Sequence, residues 1–418
     1  MDTTKTPEVL GAERARRIQD AIELKQPDRV PLSMSIGYML ADMGGISKQE
    51  LLENPDRYQE LLEKAALEFQ PDSIHGPMPS DPTPHLLLGD RMTAWPGHGM
   101  SPDTQYQFVE SEFMKEDEYD DFLDDPTDWV IRRYLPRAFA ALEPFQTMPP
   151  LNQFISGSRF LGHMGGFVRG QLGEAFRTFA KALQAVADQN DLLMKNWKRM
   201  DDIGFGAAVI AGATLTAPFD MLSDALRGMR GILLDIRRQP EKLLAAEERI
   251  ARYQLEFAID ACRSMGVYKA FLPLHRGSDG FMSIDQFETF YWAQLKSMLE
   301  TLIDNGITPV VFYEGCWDKR LEHLAQLPKA KTLGYFQASD IFKVKEVLGD
   351  TMCIMGGMPN SLLAAGPAEA VRARTKEVCE VVGKGGGFIM TTSVSEMAGS
   401  DPEMVRVWAE ATREFGTY

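Results

Sequence analysis

Two side chains are best placed for chemistry, His275 and Glu314. His275 ends the apolar run Ala270-Phe271-Leu272-Pro273-Leu274 and opens the glycine-flexed loop Arg276-Gly277-Ser278-Asp279-Gly280. Glu314 ends Val310-Val311-Phe312-Tyr313 and precedes Gly315-Cys316-Trp317. An imidazole at such a point can act as general acid or base, ligate a metal or anchor a hydrogen bond. A carboxylate there can take a proton, hold a metal or bind a cationic substrate group. Each also has a structural alternative: His275 tying down its own loop, Glu314 closing an ion pair at the rim. Asp340, after Tyr335-Phe336-Gln337-Ala338-Ser339, is a third catalytic candidate, with helix capping as its alternative. Arg276, Tyr313, Gln337 and Asn360 are candidates to bind substrate, joined by His75 and His163 from glycine- and proline-rich loops. No histidine pair has HExxH or HxH spacing, so a bound metal would rest on the dispersed ligands His275 and Glu314. Cys316 reads as packing rather than as a nucleophile.

The elements that must position these residues have a regular rhythm from residue 240 onward. Helix 240–265 precedes strand 267–275, helix 284–304 precedes strand 308–314, and helix 318–327 precedes strand 332–338. Two further units follow, helix 340–348 with strand 351–355 and helix 368–382 with strand 387–392, before a last helix over 401–415. Strands alternating with helices of this length mean parallel βαβ units. With earlier strand candidates at 30–36 and 72–77, the pattern predicts a (β/α)8 TIM-type barrel with extra N-terminal helices and loop excursions. In a barrel, chemistry sits where strands end, which is where His275 and Glu314 fall. An open doubly wound sheet is the competing arrangement, and the lack of a GxGxxG after a first strand counts against its dinucleotide-binding form.

A single domain over 1–418 is expected, with a helical extension over 1–29 and an excursion over 78–150. Helices are also expected over 48–69, interrupted at Asn54-Pro55, and over 176–202, with a buried strand and turn in 205–216. Nine acidic residues and one lysine between Glu110 and Asp125 supply −8 of the net charge of −16, and read as a solvated helix face. That net charge argues against nucleic acid or an anionic membrane as partner, leaving small molecules and other proteins. A homodimer is the base-rate expectation. The least polar run, 204–219, is broken by glycines and Ala217-Pro218, so no membrane span is expected. Four cysteines without CxxC spacing, and a start lacking a signal-peptide layout, fit a reducing cytoplasm.

Several segments carry a family likeness: Asp28-Arg29-Val30-Pro31 before the first strand, Ala217-Pro218-Phe219-Asp220 with Leu226-Arg227-Gly228, and Arg238-Gln239-Pro240-Glu241 opening a helix. Gly356-Gly357-Met358-Pro359 and Gly385-Gly386-Gly387-Phe388-Ile389 add to it. In these the chain resembles the uroporphyrinogen decarboxylase superfamily, which includes the decarboxylase and methylcobalamin-dependent methyltransferases. The resemblance implies a barrel enzyme, yet two motifs depart from it. Where the decarboxylase branch carries Arg-Gln-Ala-Gly-Arg, this chain reads Ser35-Ile36-Gly37-Tyr38-Met39-Leu40, without the arginines a many-carboxylate tetrapyrrole needs. Where the thiol-methylating branch holds zinc with His-x-Cys-Gly and a later cysteine, this chain places Phe312, Glu314 and Gly315, then Thr391 to Ser393. The usual zinc ligands are thus missing, and a thiol acceptor such as coenzyme M is disfavoured.

The resemblance then implies methyl transfer from a small substrate, such as an aryl methyl ether, to a corrinoid (cobalamin), free or on a partner protein. Glu314 or His275 would protonate the leaving oxygen, with Arg276 and Asn360 orienting substrate. Two alternatives stay open. One is a decarboxylase or other lyase on a smaller carboxylated substrate, marked by Arg159, Arg169 or Arg276 pointing inward. The other is a corrinoid-binding protein without turnover.

Overall fold

The computed structural model describes residues 5–75, 81–155, 157–206, 211–394 and 396–418. Gly76-Pro77 of the second strand candidate, the start of the expected excursion and 207–210 of the glycine-rich segment lie outside them. The chain forms two compact units, Met1–Ser80 with Lys195–Pro218 and Ala251–Tyr418, and Asp81–Met194 with Phe219–Ile250. The excursion expected over 78–150 is therefore part of a larger body, drawn from two stretches of chain.

The first unit is built on eight strands: β1 (Ser33–Ser35), β2 (Ser73–His75), β3 (Ala213–Thr214), β4 (Lys269–Leu274), β5 (Thr308–Tyr313), β6 (Leu333–Phe336), β7 (Cys353–Met358) and β8 (Phe388–Thr392). All recorded pairings among them are parallel, and β3 to β8 lie side by side in chain order. β8 then meets β1 through the parallel bridge Leu32↔Met390, and β1 pairs with β2. The sheet thus turns back toward its own start. Among the described residues no ladder joins β2 to β3.

Side chains of paired residues in a parallel ladder share a face, and successive residues alternate faces. One face carries Val310, Phe312, Leu333, Tyr335, Cys353, Met355 and Ile389, which form a single apolar cluster with Ile18, Ala21 and Ile22. These last three belong to the helix Pro7–Ile22, shorter than the expected extension to 29. The opposite face, with Leu272, Leu274, Val311, Tyr313, Ile354 and Met390, is fully buried. Each apolar side chain so buried contributes about 1.5–3 kcal/mol.

Where β1 and β2 begin, charge replaces apolar packing. Asp72 is fully buried and accepts from Arg29 Nη1 at 2.7 Å and Nη2 at 2.8 Å, from Arg17 Nη1 at 2.5 Å and from the Leu32 amide at 2.8 Å. Arg17 also grips Asp28 at 2.6 and 2.7 Å. The helix, β1 and β2 are thereby tied at one point, and no lone pair of Asp72 goes unpaired for want of donors.

In the second unit the aromatic cluster of Phe145, Phe167, Phe176 and Phe179 forms a core beside Leu88 and Leu142. In the acidic stretch 110–125 eight of the nine acids are exposed, as expected of a solvated face, and only Glu118 is buried; the helix within it is confined to Tyr119–Asp124. Arg227, almost fully buried, is held by Asp235 at 2.6 Å and by Glu112 at 2.6 Å, while Glu118 pairs with Arg137 at 2.6 Å. Buried cations need such partners, and the acids of this stretch supply them. All four cysteines are free, and among the described residues no helix is long and apolar enough to cross a membrane.

Asp72→Asn removes the charge opposite the buried Arg17 and the part-buried Arg29, and should cost up to about 3–5 kcal/mol of stability. Urea unfolding measures this; an unchanged midpoint would remove Asp72 from its anchoring role.

Candidate functional site

The register Leu274↔Tyr313 brings the next residues, His275 and Glu314, side by side where β4 and β5 end. Both continue the face of Phe271 and Phe312. The His275 Nε2 lies 3.7 Å from Glu314 Oε1, with both side chains about one-third exposed. That is an ion-pair distance, longer than a direct hydrogen bond.

Glu314 is held by its backbone. Its amide donates to Leu274 O at 3.3 Å, its carbonyl accepts from Trp317 Nε1 at 2.8 Å, and the next amide, Gly315, donates to Gln337 Oε1 at 2.6 Å. Gly315 sits at φ +73°, a left-handed turn that glycine takes without cost. The two loops are laced together: Asp279 N donates to Cys316 O at 2.8 Å, and the Asp279 carboxylate accepts from Lys319 N at 3.1 Å. Gly277 has no room for a side chain, since a Cβ there would come within 2.1 Å of the Trp317 ring. Gln337 thus positions Glu314. Arg276 lies on the same loop as His275, its guanidinium 5.5 Å from the Phe281 ring centroid.

Other predicted residues are placed differently. Asp340 is exposed and caps the helix Ile341–Leu348, accepting from Phe342 N at 3.0 Å, so capping is the role its geometry shows. Tyr313 is turned to the opposite face from Glu314 by strand alternation. It lies fully buried, stacked on Phe336 at 4.8 Å and edge-on to Trp317 at 4.9 Å, and burial pushes its phenol well above the usual range. Its substrate-binding reading is corrected on that ground. Asn360 opens the helix Asn360–Ala365 and accepts from Ser400 Oγ at 2.9 Å. His163 belongs to the second unit, where it is exposed against Phe154.

His75 ends β2 opposite Ser35, and desolvation lowers its imidazole to about 4, so it is neutral at physiological pH. Two residues escape sequence reasoning. Tyr335, on the same face as Phe312, donates to Val394 O at 2.6 Å and feels the Glu314 charge. Glu396 is raised to about 7 by burial, with the Lys48 charge opposing. Its only sequence signal is its nearness to the end of the last strand. Among the described residues no group of three or more His, Cys, Asp or Glu is placed to hold a metal. A groove of about 390 Å³ in the second unit, lined by Glu143, Gln171 and Glu174 among small residues, brings no nucleophile or base pair together.

A parallel α/β sheet with paired acid and base groups at adjacent strand ends defines an enzyme-like architecture of the strand-end type. Residues 178–415 match the family model described as uroporphyrinogen decarboxylase (URO-D), and the chain belongs to that family. Uroporphyrinogen decarboxylases of Pseudomonas paraeruginosa (strain DSM 24068 / PA7) and of Pseudomonas aeruginosa strain PAO1 are each 28% identical to it over 141 residues, 32% of this chain. The match spans 38% of the length of those relatives. Among solved structures, a methyltransferase from Methanosarcina mazei superposes with a TM-score of 0.60 at 15% identity, covering 96% of this chain and 98% of that one. At that identity the likeness is one of fold.

His75 gives a pH signature. Folded His75 takes a proton only near pH 4, whereas an unperturbed imidazole takes it near 6.5, so the unfolded chain binds more protons in between. Stability should therefore fall as pH is lowered through that window, and His75→Asn should flatten part of the fall. Denaturation midpoints at several pH values test this, and parallel curves for the two proteins would refute it.

Proposed function

We propose that the protein is a methyltransferase that moves a methyl group from a small methylated substrate, such as an aryl methyl ether, to a corrinoid, within a closed (β/α)8 barrel. The observation that carries this reading is the His275–Glu314 pair, 3.7 Å apart at the ends of neighbouring strands. The corrinoid is the second substrate, arriving free or on a partner protein, and its reduced form supplies the electron pair that takes the methyl group. Cleaving a methyl ether expels a poor leaving group, so the oxygen must gain a proton or a Lewis acid as the bond breaks. Glu314 or His275 would give the proton, and Arg276, which follows His275 in the chain, would orient the substrate. Were a metal to supply a Lewis acid instead, His275 and Glu314 would be the residues to hold it, and among the described residues no third His, Cys, Asp or Glu joins them.

The family's own decarboxylation is disfavoured. The stretch after β1 is apolar and buried at Ile36, Tyr38, Met39 and Leu40, offering no cation to the carboxylates of a tetrapyrrole. Decarboxylation of a smaller acid is the second reading, supported by Arg276 next to His275 in the chain and by the decarboxylases among its relatives.

The test is anaerobic incubation with cob(I)alamin and pooled methyl donors: aryl methyl ethers, methanol, methylamines and methyl thioethers. Protein-dependent growth of methylcobalamin absorbance in one pool is expected. Replacing His275 or Glu314 by Ala should then slow turnover ~10²-fold or more. Wild-type rates in both variants would sink the assignment, and prior removal of metal with a chelator separates the proton from the Lewis acid. Silence in every pool, with free and with protein-bound corrinoid, would favour the decarboxylase reading.

A further inference from the structure

We propose that Glu396 is a further catalytic residue of this site, the carboxylic acid that donates its proton to the oxygen leaving the methyl group. The proposal rests on the methyl-transfer reading and assigns its proton to a residue outside the His275–Glu314 pair.

Placement is the first argument. Ser33, Ser35 and Gly37 continue one face of β1, the face to which His75 is brought by its pairing with Ser35. A Cβ on Gly37, itself at φ +53°, would come within 2.8 Å of Glu396 Cβ, so Glu396 lies directly over the end of that face. Two residues earlier, the Val394 carbonyl accepts from Tyr335 Oη at 2.6 Å and from Thr392 Oγ1 at 2.9 Å. Tyr335 stands on β6, next to β5 and within the field of Glu314. Val394 is thus tied to the strand that neighbours Glu314, while Glu396, two residues on, packs at the end of β1.

The second argument is an unmet need. Glu396 Oε2 is buried and has no hydrogen-bond partner among the described residues. A buried carboxyl oxygen in that state costs free energy unless a ligand or a proton satisfies it. Burial raises the group to about 7, so near neutrality much of it carries the proton that donation needs. Lys48 is the charge that opposes this, and Asp42 on the adjoining helix accepts from Gly399 N at 3.3 Å. Glu314, about one-third exposed, would then hold the substrate.

In the step, the electron pair of the reduced corrinoid forms the new bond to the methyl carbon. The carbon–oxygen bond breaks, its electrons remain on oxygen, and the Glu396 proton moves to that oxygen. The products are a neutral phenol or alcohol and a Glu396 carboxylate.

Glu396→Gln keeps the shape and removes the proton. With methoxybenzene the variant should turn over ~10²-fold more slowly than wild type. With nitrophenyl methyl ether, whose leaving group departs as an anion unaided, the two proteins should be nearly equal. Equal loss on both ethers, or loss on neither, would overturn the proposal. Infrared difference spectra over a pH titration provide the second readout, independent of turnover. A protonated-carboxyl carbonyl band that fades with a midpoint near 7 and is missing in the variant is expected, and its absence from wild type would also overturn the assignment. If wild type moves no methyl group from any donor, the methyl-transfer reading fails together with this step, whereas failure of Glu396 alone leaves methyl transfer by wild type intact.

Discussion

A parallel ladder puts the side chains of paired residues on the same face, and this decides which polar groups of the chain can meet. Leu274 pairs with Tyr313, so the residues that follow them emerge as neighbours. A shift of one residue would aim Glu314 at the helix layer and bring Tyr313 to the inner side. The lacing of the two loops through Asp279, Trp317 and Gln337 then fixes the rims after the ladder has stopped. The site is a product of register first and of local hydrogen bonding second.

The residues that make the chain look like its family are mostly clamps. Arg29 of Asp28-Arg29-Val30-Pro31 is spent on Asp72, and Asp28 on Arg17. Arg227 of the Leu226-Arg227-Gly228 run is enclosed by Asp235 and Glu112. Such residues hold backbone in place and say little about which reaction follows. This is why a family match coexists with a strand-end set that differs from both branches the sequence resembles.

The βαβ rhythm after residue 240 was legible because apolar runs and helical periods are local properties. The prominence of His275 and Glu314 was legible for the same reason, since each closes an apolar strand. Tyr313 shows what a type-based reading misses: counting faces from Phe312 would have turned it away. Asp340 followed its local capping geometry, and the acidic stretch is solvated at eight of its nine acids, with Glu118, paired with Arg137, the buried exception. Glu396 had no local signature beyond its nearness to the end of the last strand. Its character comes from burial over Gly37, a contact between the two ends of the sequence.

The helix Pro7–Ile22 adds a constraint of another kind. Ile18, Ala21 and Ile22 are made well before their partners, Val310 to Ile389. Until those strands exist the helix has nowhere to bury its apolar stripe. Its docking therefore waits for them, and such long-range contacts make folding slow. During that interval an exposed amphipathic helix invites chaperones or self-association, so the yield of native protein depends on how long the nascent chain is shielded.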